Sequence, residues 1–362
     1  MHPYSNQPDR AFWRRFVANT PWSEIDFVGQ PKFTIATKDR VSTAGSCFAQ
    51  HITRHMRKRG ISPFQAEFAN TLALNDEKES ASYSVFSARY GNIYSSRQCL
   101  ELFQQAFGER EIFEEFVEHE GRYYDLLRPY AIPSGFSSRE EAQADRYFHL
   151  TKVRQMFDQS DVFILTLGLT EIWYNVQNRY CYPTCPGTAR GKYRSETHQF
   201  HNLSYAEVIR DLTELVLGIR KYNSNIKFIL TVSPVPLVAT HGSDNVLTAS
   251  VYSKSVLRAA CGEITERLEG VQYFPSYEIT NHVASFGQYL HTDLREISER
   301  GVSHVMNCFF DALYSEPLPN TNAQITCKLG EIDNLKTTSE RSEISNILDL
   351  SCEEVFNDYL SS

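Results

Sequence analysis

The sequence lacks any apolar run that approaches the roughly 20 residues needed to span a bilayer. Its first residues, MHPYSNQPDRAFWRRFV, also lack the apolar centre of a signal peptide. We therefore expect a cytoplasmic protein with no membrane span, whose 8 cysteines are reduced. These cysteines are scattered along the chain, which argues against a disulfide framework.

Basic charge is scarce. The chain has 36 Lys and Arg residues against 44 Asp and Glu residues, a formal net charge of -8. Without a basic excess there is little to offset the phosphate charge of DNA or RNA, so we expect no nucleic-acid partner. One basic stretch, 51–59, lies on a predicted helix, and we interpret it as a solvated face.

The motifs of several enzyme classes are missing as well. The sequence has no H-E-x-x-H, G-x-x-x-x-G-K-[ST] or G-x-G-x-x-G, so hydrolytic zinc, nucleoside triphosphates and dinucleotides have no support. A C-x₃-C-x₁₂-H-x₂-H pattern is formed by Cys181, Cys185, His198 and His201. Its last spacing is one residue shorter than in structural zinc sites, and its loop lacks the pattern of a zinc finger. We expect no metal and no cofactor.

Predicted strands and predicted helices alternate along the sequence, as is typical of an α/β protein. Of its 362 residues 41% are hydrophobic and 22% are charged, which suits a soluble protein with a large core. Apolar segments predict strands at 41–45, 161–168, 227–234 and 271–279, each with a predicted helix after it. This order predicts a mostly parallel sheet in a three-layer α/β/α sandwich.

The predicted domain spans residues 39–315. It follows an arm, 1–38, that prolines interrupt, and it precedes a polar tail, 316–362. Within the domain, a helix at about 250–268 follows the third strand, and the last helix ends near Tyr314.

Polar residues follow the predicted strands at the edge where parallel sheets bind ligands. These residues are Ser46, the segments 168–171 and 233–236, and Tyr277 and Glu278. Ser46 also opens the first helix, where exposed N–H groups would stabilise a developing negative charge. It is therefore either a nucleophile or a helix cap. The adjacent Cys47 is either a second nucleophile or, as we expect, a small buried hydrophobe.

The string Gly-Ser-Cys-Phe-Ala at 45–49 resembles the signature of the GSCFA family, distant relatives of the SGNH (GDSL-type) hydrolases. Further blocks resemble that family in the same order, namely YGNIYSSRQ (90–98), TLGLTEIW (166–173), TVSPVPL (231–237), YFPSYEI (273–279) and Asp-Leu-Arg-Glu (293–296). The resemblance covers roughly residues 30–315. It implies an SGNH-like fold.

The resemblance also implies an oxyanion hole. In SGNH enzymes the serine N–H, a glycine N–H of the second block and an asparagine of the third block form it. The matching positions here are Ser46, Gly91 and the segment containing Gly168, Thr170 and Glu171, which has no asparagine. Either Thr170 or Asn92 would have to supply the missing hydrogen bond, and Glu171 would repel an oxyanion.

The last block of SGNH enzymes carries Asp-x-x-His, in which the histidine is the general base. Asp293 matches the aspartate here, but Glu296 occupies the histidine position. Asp293 and Glu296 are alternatively a capping box that opens the last helix. If the protein is catalytic, we expect His291 to serve as the base, ahead of His304 and His282.

The resemblance implies an acyl-transfer enzyme in which Ser46 is the nucleophile, either an esterase or an O-acyltransferase. It also implies a carbohydrate or an acylated small molecule as substrate, since family members are associated with bacterial surface polysaccharides. The alternative is a non-catalytic carbohydrate-binding or assembly protein that keeps the fold. The substitution at Glu296 and the missing asparagine favour this alternative, and the sequence gives no indication of oligomeric state.

Overall fold

The computed structural model of the protein describes residues 2–68, 83 and 85–316. The strands are β1 (Val41–Gly45), β2 (Phe116–His119), β3 (Arg122–Asp125), β4 (Val162–Leu167), β5 (Glu171–Asn175), β6 (Cys181–Tyr182), β7 (His198–Asn202), β8 (Lys227–Val232) and β9 (Val271–Phe274). The helices are α1 (Ala49–Lys58), α2 (Ser96–Phe107), α3 (Arg139–Gln159), α4 (Tyr205–Arg220), α5 (Val246–Arg267), α6 (Ser276–Asn281) and α7 (Glu299–Leu313). Short 3-10 helices lie at Asp9–Ala11, Trp22–Glu24 and Val283–Ser285.

A four-stranded parallel sheet forms the centre, in the order β1-β4-β8-β9. Its strands alternate between two apolar faces, because successive side chains of a strand point to opposite sides. Phe163 and Leu165 enter the core cluster on one face, whereas Val162 and Ile164 enter the cluster on the other. Each such side chain contributes about 1.5–3 kcal/mol when it is fully buried.

Helices cover both faces of this sheet. Residues of α2, α3, α4 and α5 complete the first cluster, and residues of α1 and α7 complete the second. The expected three-layer α/β/α sandwich with a parallel sheet is therefore confirmed.

The fourth strand is shorter than the sequence predicts. It ends at Phe274 instead of Ile279, because Pro275 has no N–H to donate to a sheet. The carbonyl of Pro275 accepts the N–H of Ile279, and the chain turns into α6. Tyr277 and Glu278 therefore lie on a short helix and not at a strand end.

The helix after the third strand begins at Val246, about one turn before its predicted start. Asn245 caps it by accepting the N–H of Thr248 at 3.0 Å. The last helix ends at Leu313, as expected from the sequence.

Two small antiparallel sheets were not predicted. One is the hairpin β2–β3, and the other has the order β6-β5-β7 and is inserted between β4 and α4. In the second sheet Trp173 lies opposite both Tyr182 and Phe200. This insertion places a group of aromatic rings beside the carboxyl end of β4.

The end of the N-terminal arm packs against the domain. Ile35 is fully buried, its N–H donates to the carbonyl of Leu313 at 2.7 Å, and its carbonyl accepts the N–H of Ser315. Of the predicted polar tail, 316–362, only Glu316 is among the described residues. Among the described helices, none is both long and apolar enough to cross a bilayer.

Candidate functional site

A large cavity opens at the carboxyl edge of the central sheet. Its volume of about 1360 Å³ exceeds the range of about 300–1,000 Å³ common for small-molecule sites. The residues that follow three neighbouring strands line it, namely Ser46 after β1, Gly168 after β4 and Ser233 after β8. The parallel order of the strands thus brings these three positions together.

Ser46 lies between β1 and α1 and is only 3% exposed. Its N–H donates to the carbonyl of Thr166 at 3.2 Å, and its own carbonyl accepts the N–H of Ala49 at 2.8 Å. Its Oγ is buried and has no hydrogen-bond partner among the described residues. A buried hydroxyl without a partner costs about 1–3 kcal/mol, so this one calls for a functional explanation.

Gly168 forms the wall beside Ser46. Its N–H donates to the carbonyl of Tyr94 at 2.7 Å, which fixes the turn after β4. A Cβ built on Gly168 would lie 3.3 Å from Ser46 Cβ and 3.3 Å from Tyr94 Cδ1. The close approach of this turn to Ser46 therefore depends on the absence of a side chain.

Lys254 of α5 holds the same turn from the interior. Its Nζ donates to the carbonyl oxygen of Gly168 at 2.5 Å. Burial, opposed by Cys47 and assisted by Arg295, lowers the pKa of Lys254 to about 7. Sequence analysis missed this lysine, because it interrupts an apolar helix pattern and belongs to no motif.

Two residues of the third block lie in different places, Glu171 in the cavity lining and Thr170 in the interior. Glu171 lines the cavity and accepts a hydrogen bond from Thr240 Oγ1 at 2.6 Å, and burial raises the pKa of its carboxyl. Thr170 is fully buried and does not line the cavity. Its N–H donates to Ser253 Oγ and its hydroxyl to Asn202 Oδ1, so both of its donors are committed.

The second block lies next to β1, since the N–H of Ile93 donates to the carbonyl of Gly45 at 2.8 Å. Neither Gly91 nor Asn92 lines the cavity. Asn92 Oδ1 accepts from Gln50 Nε2 at 3.3 Å, and its Nδ2 donates to the hydroxyl of Tyr94 at 3.0 Å. The block contributes Tyr94 and Gln98 to the cavity instead.

The last block forms an exposed turn before α7. His291 and Glu296 line the cavity, and the N–H of His291 donates to the carbonyl of Glu296 at 2.8 Å. Asp293 does not line the cavity; its Oδ1 accepts the N–H groups of Arg295 and Glu296, both at 3.1 Å. Asp293 therefore caps this turn.

The predicted capping box of the last helix is wrong by several residues. The helix begins at Glu299, and its cap is Ser298, whose Oγ accepts the N–H of Gly301 at 3.2 Å. The exposed turn that contains Asp293 separates the last block from the helix.

Tyr277 and Glu278 also lie away from the cavity. Glu278 forms an ion pair with Arg258 at 2.5 Å and accepts the hydroxyl proton of Tyr273 at 2.8 Å. The helical turn after Pro275 directs Glu278 toward α5 and not toward Ser46.

Of the three histidines proposed as bases, only His291 lines the cavity. His304 stacks on Tyr289 with ring centres 5.1 Å apart. His282 Nδ1 accepts the N–H of Ala284 at 2.9 Å. Sequence analysis missed the other histidines of the cavity, which are His51, His55 and His241.

One side of the stretch 51–59, which the sequence predicts to be a solvated face, borders the cavity, and Lys58 is exposed. A basic wall, defined as His51, Arg54, His55 and Lys58, lines the cavity. The spacing of three, four and seven residues places these side chains on one helix face. Cys47 is half-buried and also lines the cavity, in contrast to the expected buried hydrophobe.

An aromatic wall, defined as Trp173, Tyr182, Tyr193 and His241, forms another side of the cavity. The ring centre of Trp173 lies 5.5 Å from that of Tyr193 and 4.9 Å from that of His241. The insertion β6-β5-β7 supplies Trp173 and Tyr182. Tyr182 is buried, whereas Trp173, Tyr193 and His241 keep exposed surface on which an uncharged ring-shaped ligand can stack.

The four Cys and His residues of the zinc-like pattern have separate partners. His198 Nδ1 accepts the N–H of Arg194 at 3.1 Å, and His201 Nε2 lies 2.8 Å from Glu207 Oε1. Within the described ranges no group of three or more His, Cys, Asp or Glu residues is arranged to hold a metal ion.

The fold and the cavity together define an α/β protein with a buried serine at the carboxyl edge of a parallel sheet. A family model for the GSCFA family matches residues 40–309, and the chain therefore belongs to the GSCFA family. The search of curated proteins gave no match, and the search of solved structures gave none either.

Proposed function

We propose that the protein is a serine acyl-transfer enzyme of the SGNH type, an esterase or an O-acyltransferase that acts on a carbohydrate. The observation that carries this proposal is the position of Ser46. Its hydroxyl is buried without a partner between β1 and α1, and the residue borders the large cavity. The proposal requires Oγ to reach a substrate in that cavity by rotation about χ1.

In the proposed reaction Ser46 Oγ bonds to the carbonyl carbon of an ester or acyl group and loses its proton to a base. The leaving group takes up that proton as its bond to the acyl carbon breaks. Water or a sugar hydroxyl then attacks the acyl-serine and gives its proton to the base, which passes a proton to Ser46 Oγ as the bond between Oγ and the acyl carbon breaks. His291 is the proposed base.

The oxyanion would be stabilised by the N-terminal end of α1. The N–H of Ser46 is committed to Thr166, but the N–H of Phe48 makes no hydrogen bond within the described residues. Unpaired N–H groups in the first turn of a helix favour negative charge. The aromatic wall supports a carbohydrate as the acyl acceptor or donor, since sugar rings stack on aromatic faces.

The alternative function is binding or assembly without catalysis. The commitment of the Ser46 N–H and the presence of Glu296 in place of a histidine favour it. Under this alternative the cavity would bind a carbohydrate, and Ser46 would do no chemistry.

A serine-directed fluorophosphonate probe separates the two functions. We expect it to label the wild-type protein and the Cys47→Ala variant at Ser46, as shown by peptide mapping, and to leave Ser46→Ala unlabelled. Label found only on Cys47 would reassign the nucleophile to the thiol. A folded protein that takes up no label at all would favour the binding function.

A further inference from the structure

Glu171 is a carboxylate of the cavity that has no cationic partner. It is the first residue of β5 and is half-buried. Within the described ranges it forms no ion pair with a Lys or Arg. Burial raises the pKa of its carboxyl, and the shift has no contribution from a Lys or Arg, so the cations of α1 leave this charge uncompensated. Buried charges are ordinarily paired, so the position of Glu171 calls for an explanation.

Neutral hydrogen bonds hold the carboxylate in place. Thr240 Oγ1 donates to Glu171 Oε1 at 2.6 Å, and the backbone N–H of His241 also donates to the carboxyl. Both donors lie in the loop between β8 and α5. A carboxylate has about four acceptor sites, so the group is oriented by the loop and can still accept hydrogen bonds from a ligand.

Trp173 lies on the same face of β5 as Glu171. The two side chains are two residues apart on one strand, which places them roughly 7 Å apart along it. The ring of Trp173 meets that of Tyr193 at 84°, with ring centres 5.5 Å apart. Both rings line the cavity, and Tyr193 is 45% exposed. The two rings therefore form a corner beside the carboxylate.

This corner holds no cation of the protein itself. Elsewhere, cationic side chains lie over aromatic rings, as Arg190 does over Tyr124 at 4.3 Å. In the part of the chain that the structure describes, no Lys or Arg lies over Trp173 or Tyr193. Tryptophan is the side chain whose ring attracts cations most strongly. The ring faces are thus open to a cation that comes from a ligand.

An uncharged ring-shaped ligand would use only part of this arrangement. It would stack on Trp173, but it would leave the charge of Glu171 without a partner. An ammonium group is attracted both by the ring faces and by the carboxylate. The combination of an aromatic corner with an unpaired carboxylate therefore favours a cationic ligand.

We propose that Glu171, Trp173 and Tyr193 form a binding site for an organic ammonium group carried by a ligand of the cavity. The group is a quaternary ammonium of the choline type or the primary ammonium of an amino sugar, since the same contacts attract both. This inference rests on the proposed function only in calling the ligand a substrate. The binding itself is independent of Ser46 chemistry.

Calorimetry at pH 7 and low ionic strength tests the site with two matched pairs of probes. Choline is compared with its uncharged isostere 3,3-dimethylbutan-1-ol, and glucosamine is compared with glucose. We expect at least one of the two cations to bind at least about tenfold more tightly than its uncharged counterpart. Ser46→Ala should bind it with the same affinity as the wild type. The pair with the larger difference identifies the source of the ammonium group.

Glu171→Gln keeps the size of the side chain and an acceptor oxygen for Thr240, but it removes the charge. It should weaken binding of the cation at least about tenfold and leave binding of the uncharged counterpart unchanged. Trp173→Leu should weaken binding of the cation by about two- to thirtyfold, the range expected for a cation on an aromatic face. Tyr193→Leu, at an exposed position, repeats this test if Trp173→Leu does not fold.

Two control variants match these substitutions. Glu299→Gln removes another carboxylate of the cavity lining, which lies on α7. Trp13→Leu removes a tryptophan that is 67% exposed and does not line the cavity. Both should bind the cation like the wild type.

Three results would overturn the site. Neither cation binds more tightly than its uncharged counterpart, Glu171→Gln binds the cation like the wild type, or Glu299→Gln weakens binding as much as Glu171→Gln. Labelling of Ser46 combined with any of these results refutes the ammonium site and leaves the proposed function standing. Binding of a cation that needs Glu171 and Trp173, in a folded protein whose Ser46 takes no label, refutes catalysis and leaves the ammonium site standing.

Discussion

Nζ of Lys254 donates a hydrogen bond to the carbonyl oxygen of Gly168 at 2.5 Å. This contact joins the middle of α5 to the turn whose glycine lies against Ser46. A charged lysine is costly to bury, and a neutral amine donates the same hydrogen bond. Lys254 therefore positions the wall beside Ser46, and its burial disfavours the charged form of its amine.

We predict that Lys254→Met alters how stability depends on pH. Burial lowers the pKa of Lys254 from its ordinary value of 10.5 to about 7 in the folded protein. Between these two values the unfolded chain binds more protons than the folded one, so this group makes the free energy of unfolding rise with pH. Below pH 7 both states are protonated and the group contributes no slope.

Urea denaturation at pH 7 and at pH 9.5 measures the effect. The wild type should gain stability over this interval relative to Lys254→Met. Lys38→Met is the control, since Lys38 is exposed, and it should keep the wild-type rise. If Lys254→Met shows the same rise as the wild type, the lysine is charged in the folded protein and our account of it fails.

Gly45, Gly91 and Gly168 should respond differently to substitution by alanine. Gly45 has φ +149° and a Cβ there would lie 2.5 Å from the carbonyl oxygen of Thr166, so Gly45→Ala should cost more than about 2 kcal/mol. Gly91 has φ +72° with open space around it, so Gly91→Ala should cost only about 1–2 kcal/mol of left-handed strain. Gly168→Ala meets contacts of 3.3 Å without backbone strain and should be the mildest of the three for stability.

Thermal or urea unfolding of the three alanine variants gives this order directly. Gly168→Ala should in addition slow labelling of Ser46, because its methyl group would press on Ser46 Cβ. A Gly45→Ala protein as stable as Gly91→Ala would show that β1 and β4 separate more easily than their contacts indicate.

The sequence was sufficient to predict the sheet, because its strands are continuous apolar runs buried on both faces. It was also sufficient to place Ser46, Gly168 and Ser233 together, since parallel strands share one carboxyl edge. The end of the fourth strand was missed at Pro275, although a proline without an N–H was a signal that could have been used.

The walls of the cavity could not be predicted in the same way. The periodicity of α1 shows a basic face at His51, Arg54 and His55, but the same pattern suits a helix face in solvent. Whether this face of α1 lies in solvent or lines a cavity depends on the positions of α7 and of the insertion β6-β5-β7. Long-range packing determines those positions. The contact between Lys254 and Gly168 likewise joins residues 86 positions apart.

We predict that the purified protein holds no stoichiometric zinc. Zinc binds cysteine as the thiolate, and burial raises the pKa of Cys181 well above its ordinary value and that of Cys185 to about 11. His201 is also paired with Glu207. Metal analysis after incubation with zinc and dialysis should find much less than one ion per chain. One zinc per chain that disappears in Cys185→Ser would show that the site exists.

The last prediction concerns the general base. If Ser46 is catalytic, His291→Ala should slow fluorophosphonate labelling of Ser46 by about 10²–10⁴-fold, the usual contribution of a positioned base. His291 qualifies because it is exposed to the cavity. His304→Ala and His282→Ala should label like the wild type.

The two controls are matched because their imidazoles are engaged elsewhere. His304 stacks on Tyr289, and His282 caps a short helix through Nδ1. A large loss of labelling in His304→Ala with none in His291→Ala would refute the assignment, because it would require the stacked ring to leave Tyr289 and reach the cavity. If all three variants label normally, the same assay on His51→Ala, His55→Ala and His241→Ala tests the histidines that sequence analysis missed. Among them His55 is already neutral at pH 7, as a base must be, because burial and its cationic neighbours lower its pKa to about 4. That same low pKa makes His55 a weak proton acceptor.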